Sequence, residues 1–178
     1  MKKFTHQEII LRQKEKQVHP RLPFCAVLNN IRSLYNVGSI FRTADGAGVE
    51  KLWLCGITGH PSNAMITKTA LGAEERVIWE HCEDALFVIR KLKSEGYKIV
   101  LLEQMHNSIP YQHFIPQAPI CLVLGNEISG VSDELLELCD CAIEIEMRGV
   151  KNSLNVSVAF GVVAYHLANA MDRLKEKS

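Results

Sequence analysis

The feature that most constrains this chain is an alternation. Short apolar runs rich in β-branched residues recur along it, separated by longer stretches with helical patterning, and this is the pattern of an α/β domain with a mostly parallel sheet flanked by helices. Strands are expected at 24–28, 51–55, 77–81, 98–102, 120–124 and 142–146. Helices are expected at 37–47, at 83–95 with Gly96 as the stop, at 133–139, and from 154 to 175. Residues 1–17 read as an additional amphipathic helix ended by His19, Pro20 and Pro23. Segments 56–72 and 104–119 lack strong periodicity and hold Gly, Pro, Ser and Asn, so they are expected to be functional or connecting loops. There is no internal repeat and no low-complexity tract.

A chain of 178 residues, 47% hydrophobic and 22% charged, has the size of one domain and the means to bury a core. No apolar run approaches the roughly 18 to 20 residues that span a bilayer, and charges interrupt the apolar patch of the N-terminal segment. A cytoplasmic protein with no membrane partner is therefore expected. Six cysteines are present, but only Cys139 and Cys141 lie close together, and neither a CxxC pair nor a neighbouring His pair accompanies them. They read as free thiols in buried strands, with no metal, and the seven histidines as surface or satisfied core residues. The formal net charge is zero, yet residues 1–42 carry eight Lys/Arg against two Asp/Glu, a net +6 that leaves −6 for the remainder. A basic N-terminal part suits a polyanionic partner, and a plain solvated helix explains the charge equally well.

Three stretches follow expected strands with glycine and polar residues, and in parallel α/β sheets ligands sit at the carboxyl ends of strands. The first is NNIRSLYNVGSIFRTADGAG at 29–48, where Asn36 is a candidate helix N-cap, Gly38 permits close approach and Arg42 follows Asn36 by six residues. Arg42 either serves a site, snorkels to solvent or pairs with a carboxylate at the core edge. The second is ICLVLGNEISGVSDELL at 120–136, where Asn126 and Glu127 follow the strand directly and Ser132 or Asp133 caps a helix; Glu127 is a site residue or merely another cap. The third is IEIEMRGVKNSLNVSVAFGVVAYHL at 143–167, where capping at the helix start accounts for Ser153 but not for Asn155. GAGVEK at 46–51 breaks the dinucleotide-binding fingerprint after its second glycine, and no phosphate-binding GxxxxGK[ST] exists.

At these stretches the chain resembles the SpoU/TrmH branch of the SPOUT methyltransferases. Asn36, Gly38, Arg42 and Ala44 match the family's first motif, LGNEISG at 124–130 its second and SLNVSVA at 153–159 its third, and the likeness runs from about Arg21 to the C-terminal helix. The resemblance implies a SPOUT-type fold with a C-terminal deep trefoil knot, a basic helical extension at 1–20 and a SpoU-type methyltransferase domain at 21–178. It implies S-adenosylmethionine as cofactor, held by Leu102, Glu103, Leu124, Gly125, Asn126, Ile145, Met147, Ser153, Leu154 and Asn155. It implies methylation of an RNA ribose 2′-hydroxyl by a homodimer whose site is completed across the interface, for which Ala159, Val162, Val163 and Ala168 are candidate contacts. Arg42, Asn36, Glu127, Ser153 and Asn155 are the implied catalytic group. A guanidinium holds its proton, so Arg42 is expected to bind the 2′-oxygen and adjacent phosphate and stabilise developing alkoxide, with the final proton acceptor left open. The lack of a separate N-terminal RNA-binding domain, together with GYKIVLLEQ at 96–104, tilts the expected substrate toward tRNA over rRNA. The alternative is a non-catalytic RNA-binding paralogue of the same fold.

Overall fold

The most apolar run of the chain becomes the centre of the molecule. In the computed structural model, which describes residues 1–15 and 21–175, β1 (Leu22–Asn29) is buried at every position except Pro23. A strand can bury its side chains on both faces only where helices cover both. β1 pairs in parallel with β2 (Val49–Cys55) on one side and with β6 (Ile120–Leu124) on the other. β3 (Ile78–Cys82), β4 (Lys98–Leu102), β7 (Cys141–Glu144) and the two-residue β5 (Ile109–Pro110) complete a parallel sheet ordered β3-β2-β1-β6-β4-β7-β5.

Alternation along β1 divides the core in two. Phe24, Ala26 and Leu28 pack with α2 (Leu34–Ala47), α3 (Ala64–Ala70) and α6 (Val156–Lys175). Cys25 and Val27 pack with α4 (Ala85–Ser94) and the short α5 (Asp133–Leu136). Gly38 lets α2 and α3 meet, because a Cβ there would lie 2.6 Å from the Ile66 carbonyl oxygen and run into the Thr69 hydroxyl.

Expected and observed elements differ where the local signals were short or duplicated. Segment 56–72 is not all loop, for Asn63 caps α3 by accepting from the Met65 amide at 3.0 Å. Only Ile66 and Ala70 of that helix are buried, which is too little to create a period. Segment 104–119 likewise contains β5 and a 3₁₀ turn at Tyr111–His113. The cap of α2 is Ser33, whose hydroxyl accepts from the Asn36 amide at 3.3 Å, so Asn36 lies inside the first turn with its side chain released for other work. At α6 the roles expected of Ser153 and Asn155 are reversed: the helix begins at Val156, and Asn155 is the residue whose side chain accepts from the Ser157 amide at 3.0 Å. Val163 and Ala168, offered above as interface positions, are buried in the core against the sheet.

At the N-terminus, α1 (His6–Glu15) opens with a capping box in which the Thr5 amide donates to Glu8 at 2.7 Å and the Glu8 amide donates to the Thr5 hydroxyl at 3.3 Å. Hydrogen bonds from the Thr5 backbone and side chain hold the Glu8 carboxyl below its ordinary value. The expected end of this helix at 17–20 lies outside the described residues. One histidine departs from expectation, since His166 has a buried Nε2 with no hydrogen-bond partner and meets the Tyr111 ring edge-on at 5.2 Å. No helix among the described residues is long and apolar enough to cross a membrane.

Candidate functional site

Because the strands run parallel, the carboxyl ends of β1, β4, β6 and β7 open on one rim of the sheet, and the three polar stretches converge there. After β6 the chain doubles back at once. The amide and carbonyl of Asn126 exchange bonds of 2.9 Å with those of Gly130, and a Cβ on Gly125 would sit 2.6 Å from the Gly130 carbonyl carbon. Only glycine fits that position.

Asn126 holds the loop from within. Its Oδ1 accepts from the amides of Ile128 (2.9 Å) and Ser129 (3.0 Å) and from the Ser129 hydroxyl, while its Nδ2 donates to the Asn30 carbonyl at 2.8 Å. Asn30 is the other half of this clasp. It sits at φ 59°, a left-handed conformation that asparagine tolerates better than most residues, and its Oδ1 accepts from the Ile57 amide at 3.1 Å. Asn30 belongs to none of the motifs, and its one signal in the sequence is the Asn29-Asn30 pair at a strand end.

A chain of side-chain hydrogen bonds then ties the three stretches together. Asn155 Oδ1 accepts from the Ser157 amide, which turns its Nδ2 toward Asn36 Oδ1 at 3.1 Å. The Asn36 Nδ2 is thereby turned to Glu127 Oε1 at 3.3 Å, and Glu127 Oε2 accepts from the Arg32 amide at 3.3 Å. A backbone donor at one end fixes every amide in the series, so Asn36 presents its carbonyl to one partner and its NH₂ to the other without ambiguity. Asn36, Glu127 and Asn155 are thus brought together across more than 100 residues of sequence.

Beside this network is a cavity of about 380 Å³, within the usual range for small-molecule sites. Leu102 and Glu103 enter it from the end of β4, Leu124, Gly125 and Asn126 from the end of β6, Ile145 and Met147 from beyond β7, and Ser153, Leu154 and Asn155 from the approach to α6. These are the ten expected cofactor positions. Gln104, Glu127, Glu144, Val156 and Ala159 line it as well. Gln104, another residue not anticipated, donates from Nε2 to the Asn152 carbonyl at 2.6 Å and so pins the loop after β4 to the loop before α6. Three carboxylates, Glu103, Glu127 and Glu144, stand on the walls, and no Lys or Arg does.

The other two expected catalytic residues are placed differently. Ser153 is exposed on the cavity wall and makes no side-chain hydrogen bond among the described residues. Arg42 is exposed on α2, is not part of the cavity, and has no hydrogen bond or ion pair among the described residues. Six residues turn an α-helix by about 240° beyond a full circle, so Arg42 cannot share the direction in which Asn36 points. Of the two alternatives to a site role, pairing with a carboxylate is ruled out within the described chain.

Burial pushes the Cys55 thiol up to about 12 and the Cys139 thiol to about 11, and no cluster of three potential metal ligands exists among the described residues.

Comparison with known proteins places this arrangement. Residues 23–165 match the model of the SpoU rRNA Methylase family. The chain is similar to a tRNA (guanosine(18)-2′-O)-methyltransferase of Aquifex aeolicus, 33% identical over 139 residues, which cover 77% of this chain and 64% of that protein. It therefore spans less than two-thirds of that relative's length. The crystal structure of the A. aeolicus TrmH/SpoU tRNA modifying enzyme superposes with a TM-score of 0.81 at 27% identity, covering 95% of this chain and 85% of that one. An AdoMet-bound rRNA methyltransferase from Sinorhizobium meliloti superposes with a TM-score of 0.77 at 25% identity, covering 85% of this chain and 58% of that one.

Proposed function

Because the chain belongs to the SpoU rRNA Methylase family, we propose that it is an S-adenosylmethionine-dependent RNA ribose 2′-O-methyltransferase, acting on tRNA rather than rRNA. The observation that carries this reading is the cavity's charge. Three carboxylates and no cationic side chain on its walls disfavour any phosphate-bearing cofactor and favour a nucleoside that carries a positive centre. The apolar side chains of Leu102, Leu124, Ile145 and Leu154 are suited to flank an adenine ring, and Gly125 lines the same wall. The residues present fit S-adenosylmethionine, which when bound supplies a methyl carbon activated by its sulfonium.

The remaining chemistry falls to the chain. The Asn155–Asn36–Glu127 series holds a carboxylate and two amides at the rim of the cavity, where they orient the ribose hydroxyl. Arg42, turned away from its own cavity, acts at the cavity of a second protomer, gripping phosphate and 2′-oxygen with its planar fork and stabilising the oxyanion. A homodimer is required for this. Its support is the outer side of α6, where Val158 and Tyr165 are about half exposed and Val162, between them on the same helix face, is only partly buried. The C-terminal knot of the SPOUT fold belongs to the same proposal. The tRNA preference rests on the names of the A. aeolicus sequence match and the A. aeolicus crystal structure, both of which specify tRNA.

The test is transfer of labelled methyl from S-adenosylmethionine to purified tRNA and rRNA offered separately, with chelator present. Label in tRNA is expected. Label in rRNA alone would reverse the preference, and RNA binding without transfer to either would identify a non-catalytic paralogue.

A further inference from the structure

A second cavity, of about 390 Å³, lies behind the same loop. The first half of the 125–130 turn lines the cavity already described, and its second half, Ser129 and Gly130, lines this one. Alternation along β1 turns Asn29 to the face of Cys25 and Val27, the α4 side of the sheet, and there Asn29 forms part of the wall. It is 8% exposed, and its side-chain amide has no hydrogen-bond partner among the described residues. Its amide is thus free to pair with whatever enters the cavity. Two further groups on the wall have capacity to spare. Ser132 occupies the N-cap position of α5 without making a capping bond, and Asp84 caps α4 through one oxygen, to the Leu86 amide at 2.8 Å, leaving the other.

These groups select their ligand by exclusion. A phosphate or carboxylate would face the Asp84 charge with no Lys or Arg on the wall to offset it. A metal ion would find one carboxylate where a cation cage needs several. Leu86, Val131 and Leu135 offer apolar surface to the faces of a ring. Asn29 offers a donor and an acceptor side by side, and Asp84 an acceptor for N–H groups. A neutral planar heterocycle with a hydrogen-bonding edge satisfies all of them, and asparagine and aspartate read base edges in this way.

We propose that the second cavity is a nucleobase subsite, which takes one base of the RNA strand whose ribose is presented at the neighbouring cavity. It rests on the RNA reading above. Asn30, which lines the second cavity, is bonded through its carbonyl to Asn126, which lines the first, so a base held in one is registered against the other.

The experiment has two arms. In the first, ¹⁵N-labelled full-length protein is titrated with guanosine, adenosine, cytidine and uridine, and the Asn29 side-chain amide is followed. At least one nucleoside should shift it saturably, and Asp84→Asn, which keeps the α4 cap, should weaken that nucleoside by about tenfold or more. In the second, the KM for RNA should rise by a similar factor in Asn29→Leu, Ser132→Ala and Asp84→Asn, with affinity for S-adenosylmethionine unchanged. Ser132→Ala and Asp84→Asn keep the test decisive should Asn29→Leu not fold. The proposal is overturned if no nucleoside reaches Asn29 at millimolar concentration and the variants keep the parent KM. Failure of the parent to methylate RNA while nucleosides still bind at Asn29 would count against the RNA-methylation reading instead and leave the subsite standing.

Discussion

Arg42 and Glu127 show how differently two charged residues are placed in one chain. Glu127 is bonded on both oxygens, to Asn36 and to the Arg32 amide, whereas Arg42 is exposed with no partner among the described residues. In the proposed mechanism the unpartnered Arg42 meets the RNA. Arg42→Ala should therefore leave the fold and the affinity for S-adenosylmethionine intact, because the cavity walls contain no part of it. Single-turnover methylation should fall by roughly 10² to 10⁴, the range for losing a charge-stabilising group. Arg42→Lys should recover little, since an ammonium lacks the two-pronged geometry. A rate within about threefold of the parent, far short of that range, would make Arg42 structural. Asn126 should behave in the opposite way. Its side chain is consumed in bonds to Asn30, Ile128 and Ser129, so Asn126→Ala should loosen the loop and weaken S-adenosylmethionine binding by about tenfold or more, as expected for a buried network losing its centre. Calorimetry on the two variants separates these roles.

Among the elements, the loop leading into β7 is held to β4 by Asp140, which accepts from Lys93 Nζ and the Ile99 amide, each at 2.7 Å. Burial alone would raise this carboxyl. The hydrogen bonds from Lys93 and Ile99 and the charges of Lys93 and Lys98 outweigh burial and hold it below the ordinary value. A depressed carboxyl stabilises the fold above its unfolded pKa and loses that contribution as the pH falls through the folded one. Asp140→Asn should thus be less stable than the parent at neutral pH by about 1 kcal/mol, a modest figure because the pair is partly exposed. Urea denaturation should show the difference shrinking below about pH 4. Gly38→Ala tests the α2–α3 contact. Its Cβ would meet the Ile66 carbonyl oxygen at 2.6 Å, and the strain should cost about 1 to 3 kcal/mol in the same assay. The long elements were legible in the sequence because burial on one or both faces leaves a period, and β4 and β6 fall where they were expected, at 98–102 and 120–124. What escaped was short or locally ambiguous. α3 buries two side chains, β5 is two residues long, and at both α2 and α6 two polar residues competed for one cap. The three polar stretches were legible from their place after strands, and the full set of cavity walls only through the family resemblance. Nothing in the local sequence says that Asn155 will find Asn36, since tertiary folding alone supplies a bond between residues so far apart.

At the scale of the whole molecule, the proposed mechanism needs a dimer, because Arg42 is separated from the cavity of its own chain. Light scattering should report twice the 20.0 kDa chain mass. Replacing Tyr165, about half exposed on α6, by Glu should shift the protein toward monomer and abolish methyl transfer while leaving cofactor binding in place. A fully active monomer would remove the cross-protomer role of Arg42. The atom that receives the methyl group distinguishes ribose methylation from every alternative, and one measurement identifies it. The parent protein is incubated with methyl-labelled S-adenosylmethionine and RNA, the RNA is digested, and the labelled nucleoside is identified. A 2′-hydroxyl that carries a methyl group can no longer attack the neighbouring phosphodiester, so label in an alkali-resistant dinucleotide, with the methyl on ribose, is the predicted result. Label on a base, or on the protein with none in RNA, would contradict it.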